Sequence, residues 1–247
     1  MIRLKHAKGE KVLIIGHRGA MGYAPENTMA SFKKGLALGA DLIELDVHLS
    51  ADGHLVVIHD PTVDRTTDGS GYVKDMMLAQ LKKLDAGSWF GPEFAGERIP
   101  TLAGVLEWAR GRVGLVIEIK NGPIFYSGIE EKVIEALEAY RMEDEVIVIS
   151  FDHWCMRRVK ELRPGIATGL LYVGRLADPT AAARAAMADA IHPKADYLTA
   201  EDVSEAHLAG LAVSTWTVND PSQMGEFIEM GVDSIGTNYP DLLRSLS

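Results

Sequence analysis

The sequence predicts an α/β fold, a (β/α)₈ barrel distorted by two departures from regular alternation. Three observations carry this. Short β-branched apolar runs alternate with stretches of 3.6-residue periodicity, the pattern of parallel strands joined by crossover helices. Eight such runs remain once a hairpin arm is set aside, and eight parallel strands close a barrel. At 247 residues the chain also has the usual length of one such barrel, and 1–247 reads as a single domain.

In chain order the strand runs are 12–15, 42–49, 55–58, 115–119, 146–149, 168–172, 190–192, 213–218 and 234–236. Helical periodicity covers 28–38, 129–139, 154–162, 181–190 and 221–230. Helix starts are marked by Thr101 before LAGVLEWA, by Asp178-Pro179 and by Asp220-Pro221. The run 190–192 is the weakest strand signal of the eight.

The first departure lies between the second and third runs, where Ser-Ala-Asp-Gly-His leaves no room for a helix. Asp52-Gly53 reads as a two-residue hairpin turn, so 55–58 folds back antiparallel on 42–49. That register sets Ala51 against His54 and His59 against Asp46. The second departure is 61–99, where the βα rhythm lapses. A structureless loop of that length is improbable in a compact domain, so the segment reads as a small cap inserted after the second barrel strand.

Composition narrows the function. Apolar residues make up 47% of the chain, too many for disorder, and no run approaches the roughly 18 apolar residues of a membrane span. The N-terminus lacks the apolar core and cleavage site of a secretory signal, which gives a cytoplasmic expectation with no stable membrane anchor. A net charge of −10 without a basic stripe argues against nucleic acid. The one cysteine, Cys155, reads as packing. A homodimer is left open.

Strand residues two apart share a side, so Glu44 projects with Asp46, and Glu118 with Lys120. Three carboxylates turned into a barrel require a cation or protons to neutralise them. Oxygen ligands without a thiolate point to one hard divalent cation, Mg²⁺ or Ca²⁺. His17 follows the first strand and His59 the hairpin arm, and two imidazoles suit proton transfer near neutral pH. Arg18 offers a planar fork to phosphate oxygens and Lys120 a point charge. Together these residues are equipment for splitting a phosphate ester.

Other residues are expected to be quieter. His6, His48, His54, His153, His192 and His207 read as surface or packing. Asn238 and Asp241 read as helix caps. Phe151 and Trp216 stand at strand ends as pocket-wall or core aromatics. Asp64, Thr66, Asp68, Gly69 and Asp75 fall at calcium-loop spacing but lack the flanking helices, and read as a turn.

HRGAMGYAPENTMASF, GADLIELDVHLSADGHLVVIHDPTVDRTTDGSG, IPTLAGVLEWA, LVIEIK, VISF, STWTVN and IGTNYPD, in this order, resemble the glycerophosphodiester phosphodiesterase family. The resemblance spans almost the whole chain and implies a distorted TIM barrel with a cap after the second strand. It implies that His17 and His59 are the general acid and base, and that Glu44, Asp46 and Glu118 bind the divalent cation. It implies phosphate contacts for Arg18 and Lys120 and a pocket-lining role for Trp216. Glu26 and Asn27, in PENT, would sit near the site and orient Arg18; Glu26 and Phe151 join the substrate-binding set.

The implied reaction is hydrolysis of a small-molecule glycerophosphodiester to sn-glycerol 3-phosphate and an alcohol. The family's chemistry implies attack by the substrate's own 2-hydroxyl; the residues themselves leave direct attack by water open. Two other readings stand beside it. One is a phosphodiesterase for lysophospholipid or phosphoinositide-type substrates, with Met76, Met77, Leu78, Trp89 and Phe90 forming an apolar mouth. The other is a non-catalytic barrel that binds phosphorylated ligands.

Overall fold

The structure is a computed structural model and describes residues 11–246; His6 and residues 1–10 of the N-terminal segment read for a secretory signal lie outside them. Its strands are β1 (Leu13–Gly16), β2 (Leu42–Leu49), β3 (Leu55–Val57), β4 (Gly114–Ile119), β5 (Val146–Ser150), β6 (Ala167–Tyr172), β7 (Ala190–Pro193), β8 (Ala212–Thr215) and β9 (Ser234–Thr237). They form one nine-stranded sheet in the order β1-β9-β8-β7-β6-β5-β4-β2-β3. Parallel pairing of β1 with β2 closes it, leaving β3 as an antiparallel arm on β2. Without β3, eight parallel strands make the barrel.

The helices are α1 (Met29–Ala37), α2 (Leu78–Leu81), α3 (Leu102–Ala109), α4 (Ile129–Tyr140), α5 (His153–Leu162), α6 (Pro179–Ala186), α7 (Ala200–Leu208), α8 (Pro221–Met230) and α9 (Pro240–Arg244). Their starts follow the sequence signals: Thr101 accepts from the Gly104 N–H, Asp178 from Ala181, and Asp220 from Ser222 and Gln223. The helical stretch expected over 181–190 stops at Ala186, because Met187 turns left-handed at φ 55°. The strand expected over 213–218 stops at Thr215, ahead of a cis Trp216-Thr217 peptide. No helix of the described residues is long and apolar enough to cross a membrane.

Alternation divides the core. On β2, Ile43, Leu45, Val47 and Leu49 face outward into the layer shared with the helices. Ile15, Leu42, Val116, Ile147, Ile149 and Leu171 fill the barrel interior. Val56, Val63, Val73, Leu81, Ala86 and Ile99 give the cap a small core of its own. Because Val56 belongs to the arm, that core welds the cap to the hairpin.

The hairpin register corrects the sequence reading by one residue. Leu49 pairs with Leu55 and Val47 with Val57, and the Ile58 N–H donates to the Asp46 carbonyl, so Ile58 rather than His59 stands opposite Asp46. The turn holds three residues, not two. Gly53 N–H closes on the Ser50 carbonyl with Gly53 at φ 75°, a type I turn followed by a left-handed residue. His59 therefore reaches the barrel mouth by the chain's exit after Val57, not by strand pairing.

Candidate active site

At the C-terminal end of the strands lies a cavity of about 270 Å³. Its walls include His17, Arg18, Glu44, His59, Glu118, Lys120, Phe151 and Trp216. β2 and β4 run in register with Asp46 beside Glu118, and Glu44, Asp46 and Glu118 offer carboxylate oxygens within 4.8 Å of one another. This is the only such group of potential metal ligands among the described residues. The calcium-like loop is a turn, as expected: Asp64 and Asp68 spend their carboxylates on the N–H groups of Gly71 and Asp85.

The turn after β1 is built to aim Arg18. Arg18 is left-handed at φ 49°, and its N–H donates to Glu44 Oε2 at 2.7 Å. Gly19 follows at φ 95°, where a Cβ would sit 2.6 Å from the Ser31 carbonyl oxygen of α1, so only glycine fits. Arg18 Nη1 donates to Glu26 Oε1 at 2.7 Å. Its Nε is buried without a hydrogen-bond acceptor, 3.5 Å from Asp46 Oδ2. Lys120 Nζ lies 2.7 Å from Glu118 Oε1 and 3.0 Å from Asp46 Oδ1. The second contact is an ion pair, and Asp46 Oδ1 has no hydrogen-bond partner beside it.

Electrostatics follow from burial. Burial and the neighbouring Asp46 raise Glu44 well above the usual carboxylate range. Burial likewise pushes Glu118 up to about 7, against the pull of Lys120. For Asp46 burial is outweighed by Lys120, Arg18 and His59, and it is held far below the ordinary value. Burial and Arg18 press His17 down to about 4. Burial, with Lys120 and Arg18, also lowers His59. Both shifts favour the uncharged imidazole.

Several supporting residues escaped the sequence reading. Asn238 is not a cap: His17 Nδ1–H donates to its Oδ1 at 2.8 Å, while α9 is capped at Tyr239 without a side-chain bond. Asp241 accepts from the Tyr23 hydroxyl. His48 is not mere packing. Its Nε2–H donates to the His59 carbonyl at 3.0 Å, and the Tyr126 hydroxyl donates to its Nδ1 at 2.9 Å, which pins the backbone beneath His59. The signal was available, since His48 shares its side of the strand with Glu44 and Asp46. His59 Nδ1–H donates to Asp60 Oδ1 at 2.7 Å. Asn27, which the sequence reading did expect near the site beside Arg18, donates to Asp46 Oδ2 and accepts from its N–H.

Glu26, expected among the substrate-binding residues, is bonded to Arg18 and is not among the residues that line this cavity. The cap residue Arg65 grips Glu26 through two N–H groups and Asp60 through two more. Phe151 and Trp216 meet edge to face at 5.6 Å on the cavity wall. His192, expected to be surface or packing, is buried and lines the same cavity. Cys155 is buried and free, as expected of a packing residue.

A closed parallel barrel with acids, two imidazoles and two cationic side chains at its C-terminal mouth defines a phosphodiesterase of the TIM-barrel class. The sequence profile of the glycerophosphoryl diester phosphodiesterase family matches residues 17–242, and the chain belongs to that family. A glycerophosphodiester phosphodiesterase of Caldanaerobacter subterraneus subsp. tengcongensis is 48% identical over 96% of this chain and 98% of its own. One from Bacillus subtilis is 37% identical over 96% of this chain and 87% of its own. Among solved structures, an Oleispira antarctica phosphodiesterase in complex with the product sn-glycerol-3-phosphate superposes with TM-score 0.88 at 33% identity, covering 94% of this chain and 95% of that one.

Proposed function

We propose that this enzyme hydrolyses glycerophosphodiesters to sn-glycerol 3-phosphate and an alcohol, using His17 and His59 as general acid and base around one divalent cation. The observation that carries the reading is one cavity lined by both imidazoles, by Arg18 and Lys120, and by Glu44 and Glu118 of a carboxylate triad whose third member, Asp46, lies within 4.8 Å of them. The Oleispira relative's product supports the substrate class.

Each imidazole spends its Nδ1–H on an oxygen, His17 on Asn238 and His59 on Asp60. That tautomer leaves an Nε2 lone pair for the reaction. One histidine, with its Nε2 lone pair free, takes the proton of the attacking hydroxyl. The other gives the departing alkoxide a proton from Nε2 and must enter that step as the imidazolium; each such role contributes about 10²–10⁴ in rate. The Arg18 guanidinium and Lys120 Nζ meet the phosphoryl oxygens as charge builds on them. Phe151 and Trp216 wall the organic part and exclude water.

The donor set fits a divalent cation. Three carboxylates against Arg18 and Lys120 leave one uncompensated negative charge, and a phosphodiester adds another, so one doubly charged ion cancels both. Held by Glu44, Asp46 and Glu118, Mg²⁺ or Ca²⁺ would supply Lewis-acid polarisation of ligand oxygens. The raised values of Glu44 and Glu118 express the same demand in protons.

The lipid-substrate reading finds less support. Met76 and Leu78 pack on the cap's own core, Trp89 and Phe90 meet edge to face, and neither these nor Met77 line the cavity. Its volume of about 270 Å³ also falls just short of the roughly 300–1,000 Å³ that accommodates drug-sized ligands. Incubation with glycerophosphocholine should release sn-glycerol 3-phosphate, stop with EDTA and resume on adding Mg²⁺ or Ca²⁺. Turnover of lysophosphatidylcholine alone would defeat the proposal.

A further inference from the structure

Across the cavity from the acids stands a second polar patch that the proposed chemistry does not use. Counting round the barrel, β7 lies four strands from β2, and β8 four from β4. His192 on β7 and Ser214 on β8 both line the cavity, and the register that pairs Ile191 with Val213 sets them side by side. They are 3% and 4% exposed. No hydrogen bond joins the imidazole or the hydroxyl to another described residue, and neither is among the enclosed unpartnered atoms, so their polar atoms open onto the cavity. Around them the wall is apolar: Ile15, Ile149, Leu171 and Trp216.

The imidazole is seated, not adrift. Trp216 Nε1–H donates to the His192 carbonyl at 2.8 Å and pins its backbone. The ring lies against Gly169 of β6, where a Cβ would come within 2.4 Å of both Cδ2 and Nε2. A side chain at 169 would push the ring out of its place. Burial alone lowers His192 to about 4, so it is neutral and presents one donor and one acceptor. A phosphate oxygen requires donors only; a hydroxyl uses both.

We propose that His192 and Ser214 are the specificity-determining pair that hydrogen-bonds the primary hydroxyl of the ligand's glycerol moiety. The inference rests on the glycerophosphodiester reading above. In glycerol 3-phosphate that hydroxyl is the glycerol group farthest from phosphorus, so it reaches across the cavity once the phosphate sits with Arg18 and Lys120. A hydroxyl oxygen engaged elsewhere through a lone pair still has its proton to give to an imidazole. The pair thus selects glycerol esters over those of a diol lacking this group, because a site built to bond a hydroxyl rejects the analogue without it.

The test compares sn-glycerol 3-phosphate with its 1-deoxy analogue, propane-1,2-diol 1-phosphate of matching configuration, which keeps the secondary hydroxyl. Inhibition constants against glycerophosphocholine hydrolysis and calorimetric affinities are measured for the unaltered enzyme, His192→Phe and Ser214→Ala. The unaltered enzyme should prefer the glycerol compound by a factor of roughly 5–30. His192→Phe should bind the two nearly equally, and Ser214→Ala, which removes one small group, should reduce the preference even if the larger change disturbs folding. No preference in the unaltered enzyme, or a preference that survives in Ser214→Ala and in folded His192→Phe, overturns the proposal. Failure of the unaltered enzyme to hydrolyse glycerophosphocholine defeats the functional reading and this inference with it, an outcome distinct from normal turnover without discrimination.

Discussion

Replacing Arg65 by Ala probes whether the cap is part of the catalytic apparatus. Its guanidinium donates to both oxygens of Glu26 at 2.8 Å, and to both oxygens of Asp60 at 2.7 and 3.1 Å. Glu26 holds Arg18, and Asp60 holds Nδ1 of His59, so one cap residue braces two groups of the site without lining the cavity. Breaking a buried ion pair costs roughly 3–5 kcal/mol. Arg65 is 44% exposed, and water partly replaces it, which reduces the expected loss to about 1.5–3 kcal/mol. Arg65 and His59 hold Asp60 down to about 2. A depressed carboxylate stabilises above its unfolded value and loses that contribution as pH falls through the folded one. The stability gap between the two proteins should therefore be full above about pH 4 and close toward pH 2. Since a small displacement of a reacting group costs up to about 10²-fold, kcat should fall about 10- to 100-fold while KM stays nearly constant. Arg65→Lys should rescue little, because an ammonium cannot fork to two carboxylates. Urea unfolding and steady-state kinetics on glycerophosphocholine decide it. A variant within about 0.5 kcal/mol of the parent and with unchanged kcat would refute the brace.

Asn238→Leu removes the acceptor that fixes the His17 tautomer, and kcat should fall about 10- to 100-fold with folding intact, against about 10²–10⁴ for His17→Ala; equal and full activity in both would dismiss His17 from proton transfer. Cation binding should be coupled to protons. Glu118, raised to about 7, holds a proton in the fold at pH values where an unfolded carboxylate has lost it. A cation must displace that proton, so affinity should fall up to about tenfold per pH unit below 7 for each proton released. The rise in Tm on adding Mg²⁺ or Ca²⁺ should be largest above pH 7, shrink toward pH 5.5 and vanish in Glu118→Gln. A Tm shift flat across that range would count against the triad as the cation's ligands.

What the sequence made legible is what local alternation encodes. Glu44 with Asp46, and Glu118 with Lys120, are two apart on strands, and strand geometry alone turns them inward together. The cap was legible as an interruption of the βα rhythm. The register of the arm was not, because Asp52-Gly53 serves a two-residue turn or, as here, the end of a three-residue one, and only the backbone decides. Asn238 lies 221 residues from its partner His17; a bond of that range leaves no local trace, while the Pro240 that follows signals a helix start and suggests a cap. His192 was hidden for another reason. A lone imidazole on an apolar strand gives no sign that the strand across the barrel carries acids.

The inward faces of the strands grade from apolar to charged along the barrel axis, and that gradient links stability to chemistry. On β2 the inward series runs Leu42, Glu44, Asp46, His48, and on β4 it runs Val116, Glu118, with Lys120 just beyond the strand. Leu42 and Val116 join Ile15, Ile147, Ile149 and Leu171 in a closed apolar plug directly beneath the acids. The plug removes apolar surface from water, which favours the closed barrel. It also denies solvent to the carboxylates above it, and that desolvation is the leading cause of the rise in Glu44 and Glu118. In such surroundings a pair of charges interacts several-fold more strongly than in water, so in the proposed reaction Arg18, Lys120 and a bound cation would act on a phosphoryl group with little screening. The fold thus accepts three buried acids as a local cost, and the same packing that makes them costly makes the opposing positive charges effective.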